Sequence, residues 1–278
     1  MTSKPAPVPT AGASAAASGT APSGAPSLRL NSGYGTDRGL RREVNEDSFI
    51  AADPVFAVAD GMGGHEAGEI ASGICVRTLA GVPQLATGER DATAAVVQQA
   101  LQQADADIRE ATGSRAGTTL SGVVVVEQLG IPHWLVMNIG DSRTYRLSQG
   151  KLSQVSVDHS EVQELVDAGE ITMAEAAVHP RRHVVTRALG TGDETEADYW
   201  LLPVEEGDRI LVCSDGLNGE LDDEHIARIL VSEPDPQAAV DQLIQAALRS
   251  GGRDNVSCIV VDASKVADAG SAAAQSRR

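Results

Sequence analysis

Val55-Phe56-Ala57-Val58-Ala59-Asp60-Gly61-Met62-Gly63-Gly64-His65 is a short apolar run that meets a lone carboxylate and then a glycine-rich turn. A Val-rich run of this length bounded by glycine reads as a buried strand, so Asp60 is expected at a strand end. The arrangement recurs along the chain. Arg209-Ile210-Leu211-Val212-Cys213-Ser214 leads into Asp215-Gly216, and Leu135-Val136-Met137-Asn138-Ile139-Gly140 leads into Asp141. Gly251-Gly252-Arg253-Asp254-Asn255 immediately precedes the run Val256–Val261. One Asp-Gly pair is readily explained as a turn, but four strand-end carboxylates ask for a common purpose. Carboxylates that converge repel one another unless a cation lies among them. With no His/Cys cluster alongside, such an oxygen set selects Mg²⁺ or Mn²⁺ over Zn²⁺. Glycine after Asp60 allows close backbone approach, which makes the Gly61 carbonyl a further candidate ligand. Asn45-Glu46-Asp47 adds an acidic pair, and Arg42 just before it offers a planar fork suited to a phosphoryl group.

Outward from these sites, helical spacing covers Glu66–Ala80 and Asp91–Ala111, and strand-like runs cover 119–127, 134–139, 143–147, 151–157, 199–204 and 208–213. A later helical group comprises Ser160–Ala168, a short helix opened by Thr172 with Glu175 three residues on, Asp222–Leu230, and Pro236–Leu248 closed by Gly251. Strands in hairpin-like runs beside paired helices favour antiparallel sheets with helices outside them, an α+β arrangement, over an alternating parallel sheet.

The chain has 278 residues, 22 Lys+Arg against 39 Asp+Glu and a net charge of −17. Residues 1–28 carry Lys4 as their one charged side chain and the last residues carry Lys265, Asp268, Arg277 and Arg278, so the acid belongs to the folded part. This excludes a general nucleic-acid binder, which needs a basic face. No run approaches the ~18 apolar residues of a membrane helix, and the N-terminus lacks a signal-peptide core; a cytoplasmic protein with no membrane span is expected. Cys75, Cys213 and Cys258 form no C-x-x-C pair and are expected in the core. Residues 1–28 and 264–278 read as a flexible arm and tail around a domain spanning 29–263.

Arg42-x-x-Asn45-Glu46-Asp47, Asp60-Gly61-Met62-Gly63-Gly64-His65, Gly117-Thr118-Thr119, Gly140-Asp141-Ser142-Arg143, Ser214-Asp215-Gly216 and Arg253-Asp254-Asn255 together resemble the metal-dependent serine/threonine protein phosphatases of the type 2C family, bacterial branch. The resemblance covers residues 30–263. It implies a four-layer αββα sandwich of two antiparallel sheets flanked by helix pairs, with a small flap subdomain at about 160–189. It implies two Mn²⁺ or Mg²⁺ ions bridged by Asp60, with Asp215 and Asp254 completing the first and the Gly61 carbonyl on the second. Glu46 and Asp47 would act nearby, Asp141 would support a third, weaker ion together with Asp215, and Arg42 would hold the substrate phosphate. The animal enzymes carry His directly after Asp-Gly as a proposed general acid; here Met62 stands there and cannot donate a proton. His65 is then the catalytic candidate, or else it caps the helix beginning near Glu66.

The implied reaction is hydrolysis of phosphoserine and phosphothreonine in proteins by direct attack of a metal-bridging water or hydroxide, in a monomer opposing bacterial Ser/Thr protein kinases. The alternative is a non-catalytic phosphoprotein-binding module on the same fold. A phosphatase restricted to one regulatory partner is expected to lack Arg42. The flap holds the locally basic His179-Pro180-Arg181-Arg182-His183 and Arg187, readable as a solvated loop or as a docking surface for phosphorylated segments. Other phosphatase chemistries fail on the sequence. No Cys has Arg six residues on, and Asp105-Ala106-Asp107 lies in a helical run where a solvated face explains it. No Gly-Lys-Ser/Thr follows Gly61-Met62-Gly63-Gly64 to make a P-loop.

Overall fold

The computed structural model describes residues 27–63, 67–191 and 196–266. Within it Val55–Ala59 is buried throughout, yet its side chains serve two cores, because successive strand residues face opposite sides of a sheet. Phe56 and Val58 join Val123, Trp134, Trp200, Ile210, Val212 and Ile259 between two stacked sheets. Val55, Ala57 and Ala59 pack instead with Cys75, Leu79, Val97, Leu101 and Ile108 under a helix pair. Covered on both faces, the strand has no alternation to show and reads as one apolar run.

One sheet contains β1 (Ser27–Asp37), β7 (Arg143–Ser148), β8 (Lys151–Gln154), β10 (Arg209–Cys213) and β11 (Val256–Val266), in the order β1-β11-β10-β7-β8. The other contains β2 (Asp47–Ala52), β3 (Val55–Gly63), β5 (Leu120–Gln128), β6 (Ile131–Ile139) and β9 (Asp198–Pro203), in the order β2-β3-β5-β6-β9. The short β4 (Ala116–Thr118) pairs with the far end of β3. Pairing is antiparallel in both sheets. The helices α1 (Ala67–Ala80) and α2 (Ala94–Thr112) cover the second sheet. The outer face of the first is covered by α6 (Asp223–Ser232) and α7 (Pro236–Ser250), which bring Ile226, Leu230, Val240 and Leu243 against Leu211, Cys258 and Val260. The four-layer αββα sandwich is thus present, and all three cysteines are buried free thiols.

Between β8 and β9 the chain forms the flap, with α3 (Glu161–Asp167) and α4 (Met173–Ala176). Thr172 and Glu175 close the capping box expected of them, each side chain bonding the other's backbone. An isolated bridge from Ser160 to Val185 joins the flap's two ends, and one from Thr118 to Leu189 ties its return to the sandwich.

Several elements lie outside the sequence reading: the strands β1 and β2, the short strand β4, the helical turn Pro83–Leu85, and the short helix α5 (Asp215–Asn218) after β10. β1 carries Ser, Asn, Gly and Thr; only Leu28 and Leu30 of it pack against the inter-sheet core, so its strand character comes from pairing with β11 rather than from its own hydrophobicity. That pairing runs from Ser27 with Val266 to Asp37 with Val256. The expected domain limits at 29 and 263 therefore cut through a strand pair that extends two residues earlier and three later. The rest of the expected arm and tail, residues 1–26 and 267–278, lies outside the described residues. No helix among the described residues is long and apolar enough to cross a membrane.

Candidate metal centre

Asp60 does not end its strand. It sits inside β3 where the neighbour on one side changes from β5 to β4, Val58 opposing Ser121 and Gly61 opposing Thr118, while Asp47 of β2 opposes Asp60 on the other side. The changeover is held by threonines. Asp60 N donates to Thr119 Oγ1 at 3.1 Å, and Asp60 O accepts from Thr118 Oγ1 and Thr119 N, each at 2.9 Å. Every backbone group of Asp60 is thereby occupied, leaving its carboxylate to face the cleft. Gly61 has to be glycine: a Cβ there would overlap the Gly68 carbonyl of α1 and stand 2.5 Å from the Glu46 carbonyl. Glu46 O accepts from Gly61 N at 3.2 Å and from Ser72 Oγ at 2.6 Å, which docks the Asn45-Glu46-Asp47 segment on α1.

The other carboxylates arrive on separate elements. Asp141 follows the Gly140 turn after β6, and Asp215 opens α5 two residues beyond β10. Asp254 precedes β11, and its neighbour Asn255 fixes the loop opposite. The Asn255 amide donates to Arg38 O at 2.9 Å and Val44 O at 3.0 Å, and its oxygen accepts from Glu46 N at 2.8 Å. Arg42, on that loop, reaches Asp254 with Nη2 2.6 Å from Oδ2. Arg42, Glu46, Asp60, Gly61, Asp141, Asp215 and Asp254 all line one cleft of about 420 Å³. Asp47 lies beneath it, accepting from Ser214 Oγ at 2.8 Å. His65 lies outside the described residues. In exchange, the flap contributes Arg182 and His183 to the cleft, with His183 Nδ1 3.9 Å from Asp215 Oδ2.

The electrostatics of the cluster are unbalanced. Burial, followed by the charges of Asp47, Asp215, Asp141 and Asp254, pushes the Asp60 carboxyl well above its ordinary range. Burial and the charges of Asp215 and Asp158 raise Asp141 to about 8, and burial raises Asp47 to about 7 against the hydrogen bonds that favour its charged form. Asp215 and Glu46 are raised as well, burial first. Oxygens Glu46 Oε1, Asp47 Oδ1 and Asp215 Oδ1 are buried and have no hydrogen-bond partner in the protein. Buried polar atoms are ordinarily satisfied, and a carboxylate oxygen that is not has room for a cation. Among the described residues no three carboxylates are yet closed around a single point as tightly as a coordination shell requires, and Arg42 draws Asp254 toward itself. The donor chemistry nevertheless fits: an all-oxygen set with several negative charges and unpartnered lone pairs suits Mg²⁺ or Mn²⁺.

Ser214, Thr119 and Asn255 escaped assignment from the sequence, although each stands inside a quoted motif. Their residue types hinted at hydrogen bonding, but their partners lie on other segments, Asn255 to Val44 spanning most of the chain. His183 gave no signal beyond lying in the basic stretch of the flap.

A profile of the Protein phosphatase 2C family matches residues 35–256. The chain belongs to the protein phosphatase 2C family. Serine/threonine protein phosphatase PstP of Mycobacterium tuberculosis is 40% identical over 238 residues, which is 82% of this chain and 44% of that protein. The chain thus spans less than half the length of that curated relative. Serine/threonine phosphatase stp of Listeria monocytogenes is 34% identical over 247 residues, 84% of this chain and 96% of its own length. Among solved structures, the catalytic domain of PstP in complex with two manganese ions is 36% identical, with a TM-score of 0.74 over 86% of this chain and 100% of that one. The protein phosphatase 2C cleft lies where β3, β6, β10 and β11 all end or change partner, which accounts for carboxylates from four strands meeting at one place.

Proposed function

We propose that the chain is a metal-dependent protein serine/threonine phosphatase that hydrolyses phosphoserine and phosphothreonine in proteins. The observation that carries this is the set of raised carboxylates around Asp60, with three buried oxygens unpartnered, beside the half-exposed guanidinium of Arg42. Asp60, Asp215 and Asp254, with the Gly61 carbonyl and Glu46, are the groups to hold two Mn²⁺ or Mg²⁺ ions; Asp141 with Asp215 would take a third. Asp47 acts from below, orienting the cluster through Ser214. Such ions supply an activated water and neutralise phosphoryl charge. Arg42 makes one hydrogen bond, through Nη2, so the remainder of its fork is open to bind and orient the phosphate. Positioning supplies much of the rate in phosphoryl transfer, and the Arg38–Glu46 loop, pinned by Asn255, sets Arg42 against the carboxylates. Among the described residues His183 is the histidine lining the cleft, and so the candidate for a proton exchanged with the leaving oxygen, while His65 remains a candidate on sequence alone.

The relatives' names support phosphoprotein substrates. We extend the reading to cytoplasmic action by a monomer opposing a Ser/Thr protein kinase. The test is phosphate release from a phosphothreonine peptide across a Mn²⁺ and Mg²⁺ series. Release that disappears with EDTA and with Asp60→Asn supports the phosphatase. Stoichiometric peptide binding without release overturns it in favour of a phosphoprotein-binding module.

A further inference from the structure

The turn that carries Asp141 is held from an unexpected side. Gly140 N donates to His159 Nδ1 at 3.0 Å, and Gly140 O accepts from His159 N at 2.9 Å and from the buried Asn138 amide at 3.0 Å. One histidine therefore grips both polar groups of the glycine before Asp141. Gly140 has φ +97°, and a Cβ there would press 2.5 Å from Thr119 Cγ2, so the turn has no alternative residue with which to brace itself. Because Nδ1 accepts, the ring proton belongs on Nε2. That nitrogen is buried without an ordinary hydrogen bond and faces Asp198 Oδ2 at 3.4 Å. Asp198, on β9, also receives Arg187 Nη1 at 3.1 Å.

These residues are the two ends of the flap. His159 precedes Ser160, the N-cap of α3, and Arg187 stands near the flap's return. His159 O accepts from Thr186 N at 2.9 Å, and Glu161 N donates to Val184 O at 2.9 Å. Arg143, two residues after Asp141, forms a fork on Asp158 next door, Nη2 to Oδ2 at 2.6 Å. Flap entry, flap exit and the Asp141 turn thus meet at one joint beside the cleft that Asp141 lines.

We propose that His159 and Asp198 are a positioning pair that locks the Gly140–Asp141 turn to the base of the flap, so that the Asp141 carboxylate and the flap residues over the cleft are set together. Neither touches substrate. His159, at the flap's entry, holds the turn through Nδ1, while its Nε2 faces Asp198 of β9, which orients the ring and also receives Arg187 at the flap's return. The proposal rests on the phosphatase reading for its consequence in catalysis but not for the joint itself.

The two ring nitrogens can be separated by substitution. Asn at 159 places an oxygen near Nδ1 and cannot reach Asp198; Gln reaches toward Asp198 and leaves Gly140 N without its acceptor. Hydrogen–deuterium exchange on the full chain in EDTA reads the joint without any turnover. His159→Gln is expected to raise exchange at residues 139–142 by about tenfold, and His159→Asn and Asp198→Asn to raise it at 158–162 and 184–187 while leaving 139–142 protected. The α6 and α7 segments stay unchanged in all three. With Mn²⁺, His159→Asn is expected to raise KM for a phosphothreonine peptide several-fold and leave kcat on p-nitrophenyl phosphate, too small to need the flap, within twofold. Equal exchange profiles for His159→Gln and His159→Asn, or a rise spread over the whole chain, would overturn the proposal. Should His159 variants not fold, Asp198→Asn decides alone: unchanged exchange at 158–162 and 184–187 overturns it. A wild-type chain that released no phosphate would defeat the phosphatase reading and leave the exchange result standing.

Discussion

Two regions of the sandwich that bury negative charge treat it in opposite ways. At the β6–β9–β10 end away from the cleft, Asp208 is almost wholly buried and fully answered. It accepts from Trp134 Nε1 at 3.1 Å, Arg146 Nε at 3.0 Å and Glu205 N at 3.0 Å. At the cleft, Asp60, Asp47, Asp141 and Asp215 crowd together with raised affinity for protons, and Arg42 meets the cluster only at the rim, on Asp254. The chain can evidently supply arginine to a buried carboxylate when structure alone is at stake. Leaving the cleft cluster unanswered costs stability, and such a cost persists at functional sites, where the missing partner comes from outside.

The largest effect that would sharpen this contrast is at Asp60. Asp60→Asn removes a ligand and one charge at nearly constant volume. Phosphate release is expected to fall by about a thousandfold or more, roughly 4 kcal/mol of transition-state stabilisation. In EDTA the same variant is expected to melt above the parent, because a source of repulsion has gone. A variant that loses activity and also melts lower without metal would break the contrast, showing Asp60 to be answered within the fold after all.

Asp208→Asn is the mirror experiment. Removing the charge of a buried pair leaves Arg146 with only the half-exposed Glu205 at 3.3 Å, at about 3 kcal/mol, or close to 10 °C in Tm for a domain of this size. Per folded molecule kcat is expected to stay within twofold, since Asp208 lies far from the cleft. Calorimetry and a phosphopeptide assay on the same preparation check both halves.

Proton linkage supplies a third test. In metal-free protein the Asp141 carboxyl, pushed up to about 8, keeps its proton in the fold while the unfolded chain releases it near the ordinary 3.8. The fold therefore binds more protons than the unfolded chain between those values, and stability falls as pH rises through that window. The slope is about 1.4 kcal/mol per pH unit for each such group. Asp141→Asn in EDTA is expected to be the stabler protein at pH 8, by about 1–2 kcal/mol after relaxation, with the gap closing toward pH 5. Parallel denaturant titrations at the two pH values read it; a gap that widens on acidification would contradict the raised value.

The same contrast shows which parts of the molecule the sequence could disclose. The cleft carboxylates were legible because each stands alone beside glycine next to a buried apolar run, and such runs as Val55–Ala59 and Ile210–Cys213 announce strands by themselves. Asp105 was not legible. Read as part of a solvated helix face, it is buried, accepts Gly190 N at 2.7 Å and Arg109 Nε at 2.8 Å, and so fastens the segment beyond the flap to α2. Helical spacing identifies a polar face but not the loop that later covers it. β1 was invisible for a related reason, since its strand state rests on β11 more than two hundred residues away. Asn255 belongs with them: an amide in a visible motif whose three partners lie on the Arg42 loop.

Arg42 stands between the two regimes and offers the finest test. Its bond to Asp254 is short, 2.6 Å, but the two side chains are 48% and 33% exposed, and pairs that solvent reaches so freely contribute about 0–1 kcal/mol. Arg42→Lys is accordingly expected to move Tm by no more than about 0.5 kcal/mol's worth. Its effect on catalysis should be larger, because lysine keeps the charge but presents a point rather than a planar fork and cannot bind two phosphate oxygens in a fixed geometry. A roughly tenfold fall in kcat/KM, about 1.4 kcal/mol, is expected with phosphothreonine peptide, and Mn²⁺ affinity by calorimetry should change little. If instead the substitution lowered Tm like Asp208→Asn while leaving kcat/KM intact, Arg42 would be a structural counter-ion of Asp254, and the cleft would no longer differ in kind from the balanced region at the far end of the sandwich.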